Sequence, residues 1–177
     1  MGFTEILPRD FTCAPFSLVG EKLLLSATDV RGTNVMTVAW GGFGVMWGDP
    51  VAFFAVRPSR YTYALAEGGE RFSLMALCEG CEAALAYCGA HSGREGDKLS
   101  AAALTPLILP SGAFGVDEAR LVFDLKKVYS HPLSPAEFWT DGAVRKWYEK
   151  GDFHKLYFAS VEKIYQKEPS AEIFGKS

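Results

Sequence analysis

Short runs of β-branched and aromatic residues follow one another along this chain, and few helical stretches separate them. Residues 22–28 (KLLLSAT) and 34–40 (NVMTVAW) read as two strands, with Asp29-Val30-Arg31-Gly32-Thr33 as the turn between them. Residues 51–56 (VAFFAV) form a continuous apolar run, the pattern of a strand buried on both faces. Residues 71–77, 119–129 and 153–165 read as further strands, and 106–109 as a short edge strand. Between the second and third runs, Gly41-Gly42-Phe43-Gly44 reads as a flexible segment that admits a close backbone or ligand, and Asp49-Pro50 as another turn. Helices are expected at 60–67, capped by Ser59 and stopped by Gly68-Gly69, at 82–88, and from Asp97 to Ala103. Six or seven strands in succession with two or three short helices predict a mainly β fold, a barrel rather than a doubly wound sheet.

The 177 residues fit one domain, and an apolar share of 49% supplies a core. Net charge is −3 with both signs scattered, so no basic face for nucleic acid is expected. Any positive potential must be local. The first ten residues lack the basic-then-apolar order of a signal peptide, and Ile6 stands where a myristoylation motif needs Ser or Thr. Apolar runs break well short of the ~20 residues of a membrane span. A cytoplasmic protein is expected.

Several catalytic signatures fail on inspection. The glycine cluster would need glycine at Trp47 to match the dinucleotide fingerprint. No phosphate-binding loop with a G-K-[ST] ending occurs, and Ala90 breaks the nucleophile-elbow pattern around Ser92. The histidines, His91, His131 and His154, form no hydrolase signature. Cys78-Glu79-Gly80-Cys81 is a C-x-x-C, but the second pair of a zinc site is missing. With Cys13 and Cys88, these read as free thiols of a reducing compartment.

One constellation does carry chemistry. Arg57-Pro58-Ser59-Arg60-Tyr61-Thr62 places two guanidiniums, hydroxyls and a helix start directly after a buried strand. Free N–H groups of a helix start and arginine forks both suit a phosphate. Ser92-Gly93-Arg94-Glu95-Gly96-Asp97-Lys98 is a second polar and basic segment. By spacing alone, the two read equally as a phosphate pocket or as two solvated turns.

The run Asn34-Val35-Met36-Thr37-Val38-Ala39-Trp40-Gly41-Gly42, then Trp47-Gly48-Asp49-Pro50-Val51, then Arg57 through Thr62, resembles the flavin reductase-like family with its FMN-binding split barrel. Flavoredoxin-type proteins resemble it most. Tyr87-Cys88-Gly89, Ser92-Gly93-Arg94 and Asp97-Lys98 resemble the next family block, and Gly151-Asp152-Phe153-His154 a late strand motif. The resemblance covers roughly residues 15–165 of a single domain, leaving a polar tail, 168–177, that is loose or packed on a partner. It implies a homodimer with FMN at the subunit interface. Asn34, Met36, Thr37, Val38, Ala39 and Trp40 would line the isoalloxazine. Arg57, Ser59, Arg60, Tyr61 and Thr62 would hold the phosphate and ribityl chain, and Ser92, Arg94 and Lys98 would complete the phosphate site. His154 and Trp40 would lie by the ring face, where a nicotinamide stacks. No acid or base is required, because the flavin performs the chemistry.

The implied activity is hydride transfer from NADH or NADPH to flavin. The alternatives are an FMN-bound carrier that receives electrons from a partner protein, and a non-redox barrel for another small ligand. Two features depart from the pattern or vary within it. Cys78 and Cys81 stand where related chains usually carry no such pair. Residues 131–149, with Phe138, Trp139, Trp147 and Tyr148, read as a variable loop over a substrate pocket.

Overall fold

The computed structural model describes residues 2–168. Seven antiparallel strands form one curled sheet: β2 (Leu23–Asp29), β3 (Gly32–Val38), β4 (Gly41–Met46), β5 (Asp49–Val56), β6 (Arg71–Leu77), β9 (Ala119–Pro132) and β10 (Lys155–Lys167). Their spatial order is β3-β2-β6-β9-β10-β5-β4, and β1 (Phe3–Ile6) adds to the far end of β10. A separate hairpin pairs β7 (Pro106–Ile108) with β8 (Phe114–Val116). Helices are α1 (Pro15–Gly20), α2 (Tyr61–Gly68), α3 (Glu82–Ala90), α4 (Lys98–Ala101) and α5 (Asp141–Trp147).

Alternation along the strands builds two cores. Leu25, Phe72, Leu74, Phe123 and Leu125 point into the barrel, where Phe54 and Tyr157 stack at 5.6 Å. Their sequence neighbours Leu24, Met75 and Val122 point outward, into a second cluster with Leu85 and Cys88 of α3. Both faces of these central strands are therefore buried, and in β6 every residue from Phe72 to Leu77 is buried. The edges of the sheet are β3 and β4, which are consecutive in sequence. Ala55 N–H donates to Trp40 O at 3.1 Å and stitches the crossing between them, leaving a seam where the barrel is split.

The expected strands and helices are present with small shifts at their ends, and five corrections follow. Gly41 and Gly42 are not a flexible segment but the start of β4. A Cβ on Gly41 would sit 2.3 Å from Phe53 O, and one on Gly42 2.8 Å from the Phe53 ring, so glycine permits close strand approach here. The turn lies at Trp47-Gly48, both at positive φ (55° and 85°), and Asp49-Pro50 already pair within β5. Such a two-residue loop matches the twist of the flanking strands. Ser59 does not cap α2: Arg60 occupies the cap without a side-chain bond, and Ser59 is engaged elsewhere. Residues 131–149 are not all loop, since β9 runs to Pro132 and α5 follows. The helices number five and the strands ten among the described residues, more than expected. Of the tail, residues 169–177 lie outside the described residues.

Candidate functional site

The edge strand β3 organises the site. Lys98 Nζ donates to Val35 O at 2.8 Å, so the Val35 carbonyl points away from β2. Backbone polar groups alternate sides along an antiparallel strand, so Thr37 also turns its N–H and C=O toward the open edge, and Met36 and Val38 face β2. Side chains alternate too. Val38 is buried in the barrel core, Thr37 Oγ1 donates to Leu85 O of α3, and Ala39 is exposed at the strand's end.

Beside this edge lies a cavity of about 200 Å³, floored by Asn34 and Met36 and walled by Arg60, Thr62, Ser92 and Lys98. Asn34 Nδ2 donates to Thr62 Oγ1 at 2.7 Å, which ties β3 to the first turn of α2. Gly93 closes the opposite wall at a distance only glycine permits. A Cβ there would lie 2.2 Å from Asn34 Oδ1 and 2.8 Å from the Tyr61 ring. Arg94 reaches back over Tyr61, with its guanidinium carbon 5.0 Å from the ring centroid. The two basic segments of the sequence thus converge on one pocket.

Its electrostatics favour an anion. Lys98 is only 7% exposed, and its ammonium donates to Val35 O and, at 3.2 Å, to Cys88 O. An ammonium has three donors, so one is left. Burial pushes Lys98 below its usual range; Cys88 opposes this, the charge of Arg60 adds to it, and Glu95 opposes it least. Arg60 makes no side-chain hydrogen bond or ion pair among the described residues. Two cations therefore converge with a single lining carboxylate, Glu95, which accepts from Ser92 N–H at 3.4 Å. A small dianion bearing oxygen acceptors fits this donor set.

Arg57 faces the other way, and Ser59, which borders the cavity, spends its hydrogen bonds outside it. Arg57 donates to Asp152 O (2.9 Å) and Trp147 O (3.0 Å), and its guanidinium lies 5.2 Å from the Tyr148 ring centroid. Ser59 donates to Asp152 through both N–H (3.2 Å) and Oγ (2.6 Å). Together they pin the 147–152 segment, whose Asp152 sits at φ +56°. That segment brings an aromatic cluster to the end of β3. Trp40 lies 4.5 Å from His154 and 5.1 Å from Trp147, centroid to centroid. His154 Nδ1 pairs with Tyr148 Oη at 2.8 Å. Burial, with the Arg57 charge in support, lowers His154 to about 4, so its imidazole is neutral at pH 7. Among the described residues, no cluster of His, Cys, Asp and Glu could hold a metal.

A flavin reductase like domain profile matches residues 19–172. The chain belongs to the flavin reductase like family. No curated protein matches it. Among solved structures, an FMN-binding protein of Thermus thermophilus with bound 1-cyclohex-2-enone superposes with a TM-score of 0.65 at 21% identity, over 91% of this chain and 76% of that one. A flavoredoxin of Methanosarcina acetivorans gives 0.63 at 21%, over 83% and 68%. An NADH:FAD oxidoreductase of Streptomyces globisporus gives 0.61 at 14%, over 82% and 74%. At these identities the likeness shows a shared fold, the split barrel of flavin reductase-like proteins.

For a member of this family, the pocket holds most of the residues expected to bind phosphate: Ser59, Arg60, Tyr61, Thr62, Ser92 and Lys98 line it, with Asn34 and Met36 beneath. Arg57 lies outside it, and Arg94 touches it through Tyr61. Trp40 and His154 stand together at the end of β3. Sequence reasoning missed Asp152 as the partner of Ser59, Tyr148 as the partner of His154, and Glu95 as the carboxylate in the pocket. The close approach at Gly93 had no readable signal, since a glycine in a polar loop reads equally as a turn residue.

Proposed function

We propose that this chain is an FMN-dependent oxidoreductase, a homodimer with its flavin at the subunit interface, that takes hydride from NADH or NADPH. The observation that supports FMN is the convergence of Lys98 and Arg60 on one cavity, against a protein of net charge −3. Lys98, Arg60, Ser92 and Thr62 would hold the phosphate. The outward backbone of Thr37 and the exposed turn at Ala39 would offer hydrogen bonds along the polar edge of the ring, and Trp40 with His154 would bound its face. When bound, the flavin supplies the hydride chemistry. The residues around it bind and orient. Neutral His154, paired to Tyr148, keeps a cation away from the ring face, and the aromatic cluster excludes water. Side chains fill the inside of the barrel, so the ring would lie outside it, along the open β3 edge. A cytoplasmic setting fits this chemistry, and no helix among the described residues is long and apolar enough to cross a membrane.

The test is the visible spectrum of the FMN-loaded protein before and after anaerobic NADH or NADPH. Bleaching of the flavin bands is expected. One observation favours the alternative, a carrier that receives electrons from a partner protein. Trp147 packs on Trp40 under the grip of Arg57, where a nicotinamide would otherwise stack. Flavin that bleaches with dithionite but not with either nicotinamide supports the carrier.

A further inference from the structure

We propose that Cys78 and Cys81 form a reversible redox site that closes to an intramolecular disulfide by exchange with a low-molecular-weight disulfide. The two thiols lie on the opposite end of α3 from the phosphate cavity, and nothing in the flavin chemistry uses them.

The backbone brings the pair to bonding range. Cys81 N–H donates to Cys78 O at 3.3 Å, closing a four-residue turn, and Gly80 occupies its third position at φ +87°. That is the geometry of a type II turn, whose first and fourth Cα atoms lie within ~7 Å. A disulfide needs Cα atoms roughly 4.4–6.8 Å apart. The turn is anchored on both sides. Cys78 N–H donates to Glu118 O at 2.8 Å, and Cys81 O accepts from Leu85 N–H at 3.1 Å in the first turn of α3. The turn thus holds the two cysteines as backbone neighbours at the start of α3.

Both thiols are half-buried, but they border different surroundings. Cys78 lines a surface cavity of about 600 Å³, bordered by Lys22, Glu79, Glu82 and Arg120. Cys81 packs against the outer core. Burial, then the neighbouring Cys78, Glu118 and Glu82, pushes the Cys81 thiol up. This asymmetry assigns the roles. Cys78 attacks the small disulfide RS–SR as thiolate, an S–S bond forms to it, and RS⁻ leaves with the proton that Cys78 gave up. Cys81 then loses its proton and attacks Cys78 Sγ, and the second RS⁻ leaves as RSH. In sum, two protein S–H bonds become one S–S bond, and the two electrons reduce RS–SR to two RSH. Cys88 is fully buried and takes no part, and Cys13 lies on another cavity.

The test uses the full chain, reduced, freed of reductant and treated with glutathione disulfide. It is then acid-quenched, unfolded and alkylated for intact mass and peptide mapping. Of the four cysteines, Cys13 and Cys88 should take alkyl groups, and the 78–81 peptide should be lighter by two hydrogens. Cys81→Ser should stall as a lasting glutathione adduct on Cys78, and Cys78→Ser should gain little adduct on the 78–81 peptide. Four alkylated thiols overturn the proposal. So does a lasting Cys78 adduct in the unaltered chain, or a bond from either cysteine to Cys13.

Discussion

Arg57 and Arg60 stand three residues apart, and a sequence reading assigns both to phosphate. The structure separates them, which makes a paired substitution informative. Arg60 lines the cavity and makes no side-chain hydrogen bond or ion pair among the described residues, so nothing in the fold depends on its charge. Arg60→Ala should leave thermal stability nearly unchanged. Its loss removes a charge-assisted hydrogen bond to the phosphate, worth about 1.5–3 kcal/mol. That corresponds to a rise of roughly 10- to 150-fold in the Kd for FMN. Arg57 instead donates to Asp152 O and Trp147 O and covers Tyr148. Arg57→Ala should lower stability by roughly 1–2 kcal/mol, the scale of two partly exposed hydrogen bonds, and loosen the aromatic segment. Its effect on FMN affinity should be smaller than that of Arg60→Ala. Flavin fluorescence titration and thermal melts of both variants supply the comparison. An unchanged Kd in Arg60→Ala would refute the phosphate assignment. A larger affinity loss in Arg57→Ala would show that the two arginines exchange roles when the flavin binds.

Gly93→Ala should abolish FMN binding and destabilise the loop by about 1–3 kcal/mol, because its Cβ meets Asn34 and Tyr61; a soluble variant with normal affinity would oppose this. Lys98→Met should cost about 1–3 kcal/mol of stability for each carbonyl left without its donor, at Val35 and Cys88, as read by denaturant melts. His154 is lowered from 6.5 to about 4 in the folded chain, so its contribution to stability is complete above pH 6.5 and is lost as pH falls toward 4. His154→Gln should flatten that part of the stability–pH curve. Asp152→Asn should weaken the Ser59 contacts and raise the rate of flavin reduction by NADH, measured by stopped flow; an unchanged rate would mean the 147–152 segment does not gate access.

The fold was legible where side-chain pattern alone decides it. Residues 71–77 carry apolar side chains on both faces, and the strand lies there as Arg71–Leu77. What escaped were elements set by contacts distant in sequence. Gly41 and Gly42 carry no strand signal, yet they pair with Phe53 and Phe54 because β5 approaches too closely for a Cβ. The β1 strand is held by pairing with Lys167 and its neighbours, more than 150 residues away in sequence. In the site, arginines, serine and lysine announced an anion, and their convergence is visible only in three dimensions. The pairing of Ser59 with Asp152 spans 93 positions and no local motif encodes it. Arg57 looked like Arg60 in sequence because both carry the same fork; which carbonyls lie within its reach is a property of the assembled barrel.

The central claim is a phosphate pocket that holds the FMN end of a flavin, and the most direct test compares FMN with riboflavin, which shares the ring and lacks the phosphate. Both are titrated against the purified protein by equilibrium dialysis. The cationic cavity predicts that FMN binds at least tenfold more tightly, about 1.4 kcal/mol or more, with the difference shrinking at high salt. Equal affinities, or no binding of either flavin, would contradict it.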